Sequence, residues 1–553
     1  MKSLGNWPFI VMTKDKKCGG VHGMLDLVVE GGKIIDGTGA KAFNADIGIK
    51  DGLIVSIGNI DQPAKEYLHA SGAVVTPGFI DIHSHSDLSS IILKKSAQSK
   101  IFQGVTTEIV GNCGISCLPV NDESRERLTE FFKTSLQMPL FEGKLIDDDL
   151  NSYSQHLKEC PPFSNIGLLV GHGTLRGCVV GMGLEAATAQ QIKDMCLILE
   201  RELKSGAFGM SLGLIYPPSS YGTKDELIAL AKVLKKYNAM LTVHLRSEST
   251  GLFQAVDEMF DIARASNVHV EISHLKLIGK AQWGKSDLLL KKIKDACKDG
   301  LNITCDQYPY EATSTGLSAL VPAWAHAGGA TAMCKRLEIA DDKLMREISD
   351  ELERRGGADS VLVVSTHGAY PNFDGLYLKE ISSLMHLDEN KCVSQLLVDS
   401  KGWVSCCYFS LSKEDVLAIM KEKNIIVGSD GYAYSYNKDI FPASPHPRNF
   451  GTFPRFFQVV RENKLMNLEA AVFKATGLVA DTIGMKTRGR LKVGKVADLV
   501  VFNEKKIMDN CTYRDSLKLP SGIKAVIVSG KLIVSNNKIV EEPCGKLVKH
   551  DVN

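Results

Sequence analysis

No apolar run in the chain approaches the ~18 residues that a membrane-spanning helix needs, so nothing points to helical insertion in a bilayer. Charge of one sign is equally scarce: 65 basic and 64 acidic residues leave a formal net charge of +1. So balanced a chain gives no reason to expect nucleic acid or an acidic membrane surface as a partner. There is no low-complexity tract and no tandem array. The start, MKSLGNWPFIVMTKDKK, carries only a short apolar patch broken by Pro8, too poor for a secretory signal. The end, KHDVN, matches no retention or lipidation signal. Regular cysteine spacing is missing as well, so the fourteen cysteines do not read as a disulfide framework. Together with the missing export signal they imply mostly buried thiols in a reducing cytosol. What remains is an ordinary globular composition, 44% hydrophobic and 23% charged, in a chain long enough for one large domain and a smaller one.

Residues 1–20 read as a loosely structured extension. Asp26–Gly37 (DLVVEGGKIIDG) and Ala45–Gly58 (ADIGIKDGLIVSIG) are β-rich runs, and their Gly31-Gly32 and Asp51-Gly52 dipeptides supply the positive φ of tight hairpins. The far end reads alike, in Ala497–Asn503 (ADLVVFN) and Ile523–Val540 (IKAVIVSGKLIVSNNKIV). Isolated hairpins are marginal in water. Both chain ends are therefore expected to form one small β-sandwich, residues 21–75 and 485–545, with everything between inserted as a second domain, residues 76–484. That middle alternates strand and helix. Ser164–His172, Met240–His244, Val268–His274, Leu301–Asp306 and Asn424–Asp430 are strands. Helices are expected over Ala186–Lys204 with Gly206 to end it, from a capping box at Thr223–Glu226, and over Gly251–Ala265, Ser286–Lys298 and Ser412–Glu422. Repeated units of ~30 residues mean a parallel sheet, and about eight of them favour a closed TIM-like (β/α)8 barrel over an open sheet. Residues 320–399 break the alternation and are expected to leave the barrel as an insertion that covers the site.

The chain is organised around Val74–Asp87, VVTPGFIDIHSHSD. Residues two apart in an extended strand point the same way, so His83 and His85 share a side. A lone His-x-His carries little. However, each expected strand ends on a metal-capable residue: His83 and His85, Cys113 just after Val105–Val110, His244, His274 and Asp430. Strand C-termini converge on one face of such a barrel, so these donors would meet. Imidazole, thiolate and carboxylate are zinc's ligands. Asp430 is the expected acid/base, a carboxylate able to take a proton from water beside a metal and deliver it to a leaving nitrogen. The chemistry this supports is hydrolysis of an amide or similar carbonyl bond. His172 ends a strand too but is left outside the ligand set, as are His269, His326, His367 and His446.

The sequence resembles the amidohydrolase superfamily, and within it the D-aminoacylases (N-acyl-D-amino-acid deacylases). PGFIDIHSHSD, GSDG at the last strand and the closing GRLKVGKVADLVVFN (Gly489–Asn503) carry the broad likeness. TTEIVGNCGIS (Thr106–Ser116), VGHGTLRG (Val170–Gly177), SGAFGMSLGLIYPPSSYGTKDEL (Ser205–Leu227), VHLRSE (Val243–Glu248), SHLKLIGK (Ser273–Lys280), DQYPYEATST (Asp306–Thr315) and HPRNFGTFPR (His446–Arg455) carry the narrower one. The likeness spans nearly the whole chain after residue 20. It implies one tight Zn²⁺ position at Cys113, His244 and His274, a second, weaker one at His83 and His85, and Asp430 as catalytic acid/base. It implies a substrate α-carboxylate held by Lys276 and Tyr308 with Ser314 assisting; an ammonium and two hydroxyls make a compact anion clamp. Arg448 is a further anion-binding candidate. WAHAGG and the Asn-Phe-Asp-Gly stretch within 320–399 resemble an inserted lid, whereas Ser219-Ser220-Tyr221 departs from the glycine-type loop after YPP. The implied reaction is hydrolysis of a small N-acyl-D-amino acid to a carboxylate and a free D-amino acid. The alternatives are a cyclic-amide hydrolase of dihydroorotase or hydantoinase type, against which Cys113 argues, and a non-catalytic scaffold, against which the intact donor set argues.

Overall fold

The computed structural model describes residues 23–135, 148–440 and 443–550; the expected N-terminal extension lies outside them. The chain opens with β1 (Leu25–Ile34), β2 (Phe43–Lys50), β3 (Leu53–Gly58), β4 (Ala64–His69) and β5 (Val74–Pro77). Strands β1 to β3 are antiparallel neighbours, while β4 and β5 run parallel to β1. Asp51-Gly52 makes the expected hairpin turn, both residues at positive φ. Gly31-Gly32 does not. Strand β1 runs through that pair, and Gly31, at φ 68°, takes up a shift in register against β2.

Six strands follow in parallel from β6 (Phe79–Asp81): β7 (Val105–Val110), β8 (Asn165–Gly171), β9 (Gly209–Gly213), β10 (Met240–His244), β11 (His269–Ile272) and β12 (Ile303–Gln307). An insertion then leaves the barrel with its own antiparallel sheet, β13 (Thr313–Gly316), β14 (Val361–Ser365) and β15 (Ser405–Tyr408), β15 in the middle. Four helices, Ala330–Ile339, Asp342–Arg354, Leu378–Met385 and Glu389–Asp399, close a separate core around Leu317, Ile348, Val361 and Leu396. The insertion thus reaches beyond 320–399 on both sides, because its first and last strands carry the sequences TSTG and SCCY, which alternation of apolar residues does not flag. Strand β16 (Ile425–Val427) pairs with β12 as the eighth of the parallel set. A bridge between Ser84 and Gly431, with Asp430 N donating to His83 O at 2.8 Å and His85 N to Gly431 O at 2.9 Å, ties the first strand's end to the last's.

Between the barrel strands, Ala189–Ser205 is capped by Thr188 and Gln191 and stopped by Gly206 in the left-handed region. The capping box expected at Thr223 is half built: its hydroxyl accepts from Glu226 N, but the Glu226 side chain turns inward to His172 Nε2, 2.8 Å away. The last strands, β17 (Leu499–Phe502), β18 (Ile523–Val528), β19 (Lys531–Ser535) and β20 (Lys538–Ile539), join the first five through β17 on β5. Both chain ends therefore build one nine-stranded sheet. Val75, Leu499, Val501 and Ile527 fill its own core, whereas their neighbours Val74, Val500, Phe502 and Val526 face the barrel, as the strand period of two requires. There Phe79 meets Phe453, Phe457 and Phe502 at ring-centre distances of 5.5, 5.1 and 6.1 Å. Each buried ring adds roughly 1.5–3 kcal/mol to that joint. Among the described residues, no helix is long and apolar enough to cross a membrane.

Candidate active site

The six expected donors meet at the C-terminal mouth of the barrel. His83, His85, Cys113 and Asp430 form one group, and Cys113, His244 and His274 another, the donor atoms of each group lying within 4.8 Å of one another. Cys113 belongs to both. Its sulfur lies 3.3 Å from His83 Nε2 and 3.4 Å from His274 Nε2, and Asp430 Oδ1 lies 3.0 Å from His85 Nε2 and 3.4 Å from His83 Nε2. All six side chains are buried.

Three of these residues, Cys113, His274 and Asp430, sit at positive φ (52°, 37° and 52°), a region that non-glycine residues enter at a cost of order 1–3 kcal/mol. Such strain persists only where the surroundings fix it. Around Cys113 they do: a Cβ on Gly213 would collide with the Cys113 carbonyl, and one on Gly171 with the Gly114 backbone. Bare strand ends let the Cys113 turn press down onto the barrel mouth. Asp430 is fixed from below by a buried ion pair, in which Lys100 Nζ reaches Asp81 Oδ2 at 2.5 Å and also bonds the Ser429 hydroxyl, while Ser429 N donates to Asp81 Oδ1 at 2.9 Å.

The donor chemistry fits a divalent cation. Nδ1 of buried His244 lacks a hydrogen-bond partner, and its Nε2 has only Glu248 Oε2, at 3.3 Å. Orphaned buried nitrogens carry a desolvation cost that a ligand recovers. Burial pushes His83 down to about 3 and His244 to about 4, keeping both neutral and able to coordinate. Burial and the neighbouring Lys276 ammonium lower His274 likewise. Burial raises the Cys113 thiol well above its usual range, so without a cation it keeps its proton. Burial opposes ionisation of Asp430, yet the Arg448 guanidinium, His274 and His85 outweigh it and hold the carboxyl well below the usual range.

Two carboxylates that sequence reasoning passed over brace the ligands. Asp306 Oδ2 accepts from His83 Nδ1 at 3.1 Å, and its other oxygen accepts from His274 N at 3.0 Å. Glu248 lies 3.3 Å from His244 Nε2, 3.2 Å from His274 Nδ1 and 2.6 Å from Lys276 Nζ. Partners of this kind orient metal-binding imidazoles. Asp306 ends its strand and was within reach of the strand-end rule; Glu248 lies four residues after His244 in VHLRSE. His172 stays apart, between Ser219 Oγ and Glu226 Oε1, both at 2.8 Å.

The donors open into a cavity of about 1330 Å³ walled by the barrel mouth and the insertion. Lys276, Tyr308, Ser314 and Arg448 all line it. Lys276 Nζ is held by Glu248 and by His274 Nδ1, each at 2.6 Å, leaving one N–H for a ligand. The Tyr308 ring lies between the Lys276 ammonium, 5.9 Å from its centre, and the Arg448 guanidinium at 5.3 Å, and its buried hydroxyl has no partner. Arg448 bonds Asp430 Oδ2 at 2.6 Å and Ser314 O at 3.2 Å. Ser219–Tyr221 forms a single helical turn, and Tyr221 Oη reaches Ala323 O at 2.8 Å.

Comparison with known proteins agrees with this geometry. The amidohydrolase family matches residues 428–534. The chain is 32% identical to the N-acyl-D-glutamate deacylase of Alcaligenes xylosoxydans xylosoxydans, over 96% of its own length and 97% of the relative's. The chain belongs to the N-acyl-D-amino-acid deacylase family of amidohydrolases. To the D-aminoacylase of the same organism it is 30% identical, over 95% and 97% of the two chains. Its fold matches the N-acyl-D-glutamate deacylase of Bordetella bronchiseptica, solved with zinc and a phosphonate mimic of the tetrahedral intermediate, with a TM-score of 0.80 and 30% identity. That superposition covers 95% of this deacylase-family chain and all of the Bordetella chain.

Proposed function

We propose that the protein hydrolyses N-acyl-D-amino acids to a carboxylate and a free D-amino acid, as a zinc enzyme. Cys113, His244 and His274 would hold the tight ion, and His83, His85 and Asp430 would shape a second, weaker position beside it. When bound, the cation polarises the acyl carbonyl and acidifies water. Lys276 and the Tyr308 hydroxyl, with Ser314 beside them, fix the substrate α-carboxylate and so orient the scissile amide. Asp430, kept ionised by Arg448, accepts the proton of the attacking water and returns it to the departing nitrogen. Closure of the insertion over the mouth keeps bulk water from competing for these charges. The observation that carries this reading is the gathering of a shared thiol, a carboxylate and buried imidazoles in one cavity with an unpartnered tyrosine hydroxyl. Thirteen free cysteines among the described residues support a reducing, cytosolic setting.

The test is a panel of N-acetyl-D and N-acetyl-L amino acids beside hydantoins and dihydroorotate, run on the wild type and on Asp430→Asn. Asparagine tolerates the left-handed backbone that position 430 needs, so the substitution isolates the carboxylate. Turnover of D-substrates alone is expected, with kcat reduced at least ~10³-fold by the substitution and the tightly held zinc at Cys113, His244 and His274 retained. Activity on the rings alone would sink the reading, and an unaffected rate would remove Asp430 from its role.

A further inference from the structure

Resting on that reading, the cavity itself says which D-amino acid enters. Five cationic side chains line it, Arg246, Lys276, Arg354, Arg355 and Arg448, and each is already paired. Arg246 engages Glu258 at 3.0 Å, and Lys276 engages Glu248 at 2.6 Å. Arg354 and Arg355 both engage Glu351 at 2.7 Å, and Arg448 holds Asp430 at 2.6 Å. Glu258 stands outside the wall, yet the wall still carries seven carboxylates of its own among the described residues. Asp350 is exposed at its edge on the helix Asp342–Arg354, beside Glu347 and Glu351. The α-carboxylate of any substrate claims the free N–H of Lys276 and the Tyr308 hydroxyl. Arg354 and Arg355 share one carboxylate, but five cations against seven carboxylates leave the wall net negative, so the surplus acids (Glu347, Asp350, Asp374 and Asp439) oppose a second carboxylate.

Serines, threonines and histidines make up part of the remaining wall, and an apolar stretch faces the cavity from both sides. Ile115, Phe131, Met182 and Pro217 come from the barrel side, and Val321 and Met333 from the insertion. The two sides are locked together where Gly328 N donates to Met182 O at 3.1 Å and Thr331 N to Glu130 Oε1 at 2.8 Å. A wall of this kind rewards a side chain with apolar surface to bury and rejects a charged one that would shed its water without a partner. We infer that the preferred substrates are N-acyl derivatives of apolar D-residues such as D-methionine, D-leucine or D-phenylalanine, and that D-glutamate and D-aspartate derivatives are refused, in contrast to the N-acyl-D-glutamate deacylases that the chain is similar to.

Comparing kcat/KM for N-acetyl-D-methionine, -D-leucine and -D-phenylalanine with those for N-acetyl-D-glutamate and -D-aspartate on the zinc-loaded enzyme decides the matter. The apolar group is expected to lead by at least ~100-fold. An acidic substrate turned over as well as the apolar ones would overturn the inference and leave the deacylase reading intact; no turnover of any D-derivative would overturn both. Glu351→Gln supplies an independent measurement, because it frees Arg354 and Arg355 from their shared carboxylate. The ratio of D-glutamate to D-leucine activity is expected to rise about tenfold in that variant. An unchanged ratio, in a variant that keeps its D-leucine activity, would show that paired charge does not set the selectivity.

Discussion

At the scale of single residues the site joins two kinds of buried group. Some are braced on every side, as His83 is by Asp306 and His274 by Glu248 and Lys276. Others are left open, and Tyr308 is the clearest. Its hydroxyl is buried without a partner, a state that ordinarily costs about 1–3 kcal/mol. A hydroxyl doing only structural work would be bonded within the protein. Tyr308→Phe is therefore expected to leave thermal stability unchanged or raise it by up to ~1 kcal/mol, while raising KM for an N-acetyl-D-amino acid about tenfold and changing kcat little. Melting curves and a full KM-against-kcat comparison check this; a lowered Tm with unchanged KM would return the hydroxyl to the core. The donors themselves were legible in the sequence because strand ends of a barrel must converge. Of the braces, Asp306 was within reach of the same rule; Glu248 was not, because it reaches His274 and Lys276 only through a turn whose shape depends on positive φ at His274.

At the scale of elements, what could be read was what repeats. Strands β8, β10, β11 and β12 lie where apolar runs put them, give or take two residues, and the helices between them follow their caps. The final segment, by contrast, has no apolar period, and its role is invisible until the barrel is closed. Residues Gly545–His550 run beneath the barrel, where Gly545 N donates to Pro162 O at 2.8 Å and Ile166 N to Lys546 O at 2.9 Å. Val548 N donates to Ile166 O at 2.7 Å and His550 N to Gly206 O at 2.9 Å. Ile166 is the second residue of β8 and Gly206 precedes β9, so this strap seals the end of the barrel opposite the donors. Four backbone hydrogen bonds at about 1 kcal/mol each, less the entropy of holding the strap, leave roughly 2–3 kcal/mol. Truncation after Val540 is expected to lower Tm by several degrees with kcat/KM at 25 °C unchanged. Differential scanning calorimetry beside kinetics tests it, and an intact Tm would mean the strap only decorates the surface.

At the scale of the whole molecule, both ends of the chain meet in one sheet, and the barrel is the segment between them. Two half-buried histidines outside the donor set are held neutral as well. Burial pushes His269 and His367 down to about 4, against an ordinary value near 6.5. Below pH 6.5 the unfolded chain binds protons that the folded chain refuses, so folding stability falls with pH through the interval from 6.5 to about 4. Each such histidine contributes up to about 3 kcal/mol of that loss. A carboxyl raised by burial works the other way: Glu271, next to the Thr304 hydroxyl on which His269 Nε2 rests at 2.8 Å, favours the folded state as pH falls. The net slope of the wild type mixes both, which is why a variant isolates the imidazole better than a pH scan alone. In His269→Gln a neutral amide can keep the bond to Thr304 without titrating. Its Tm is expected to fall less steeply than that of the wild type between pH 6.5 and 4.5, with the two curves differing by a constant amount above pH 7.5. Parallel curves across the acid interval would show that His269 is protonated equally in both states and that the loss arises elsewhere.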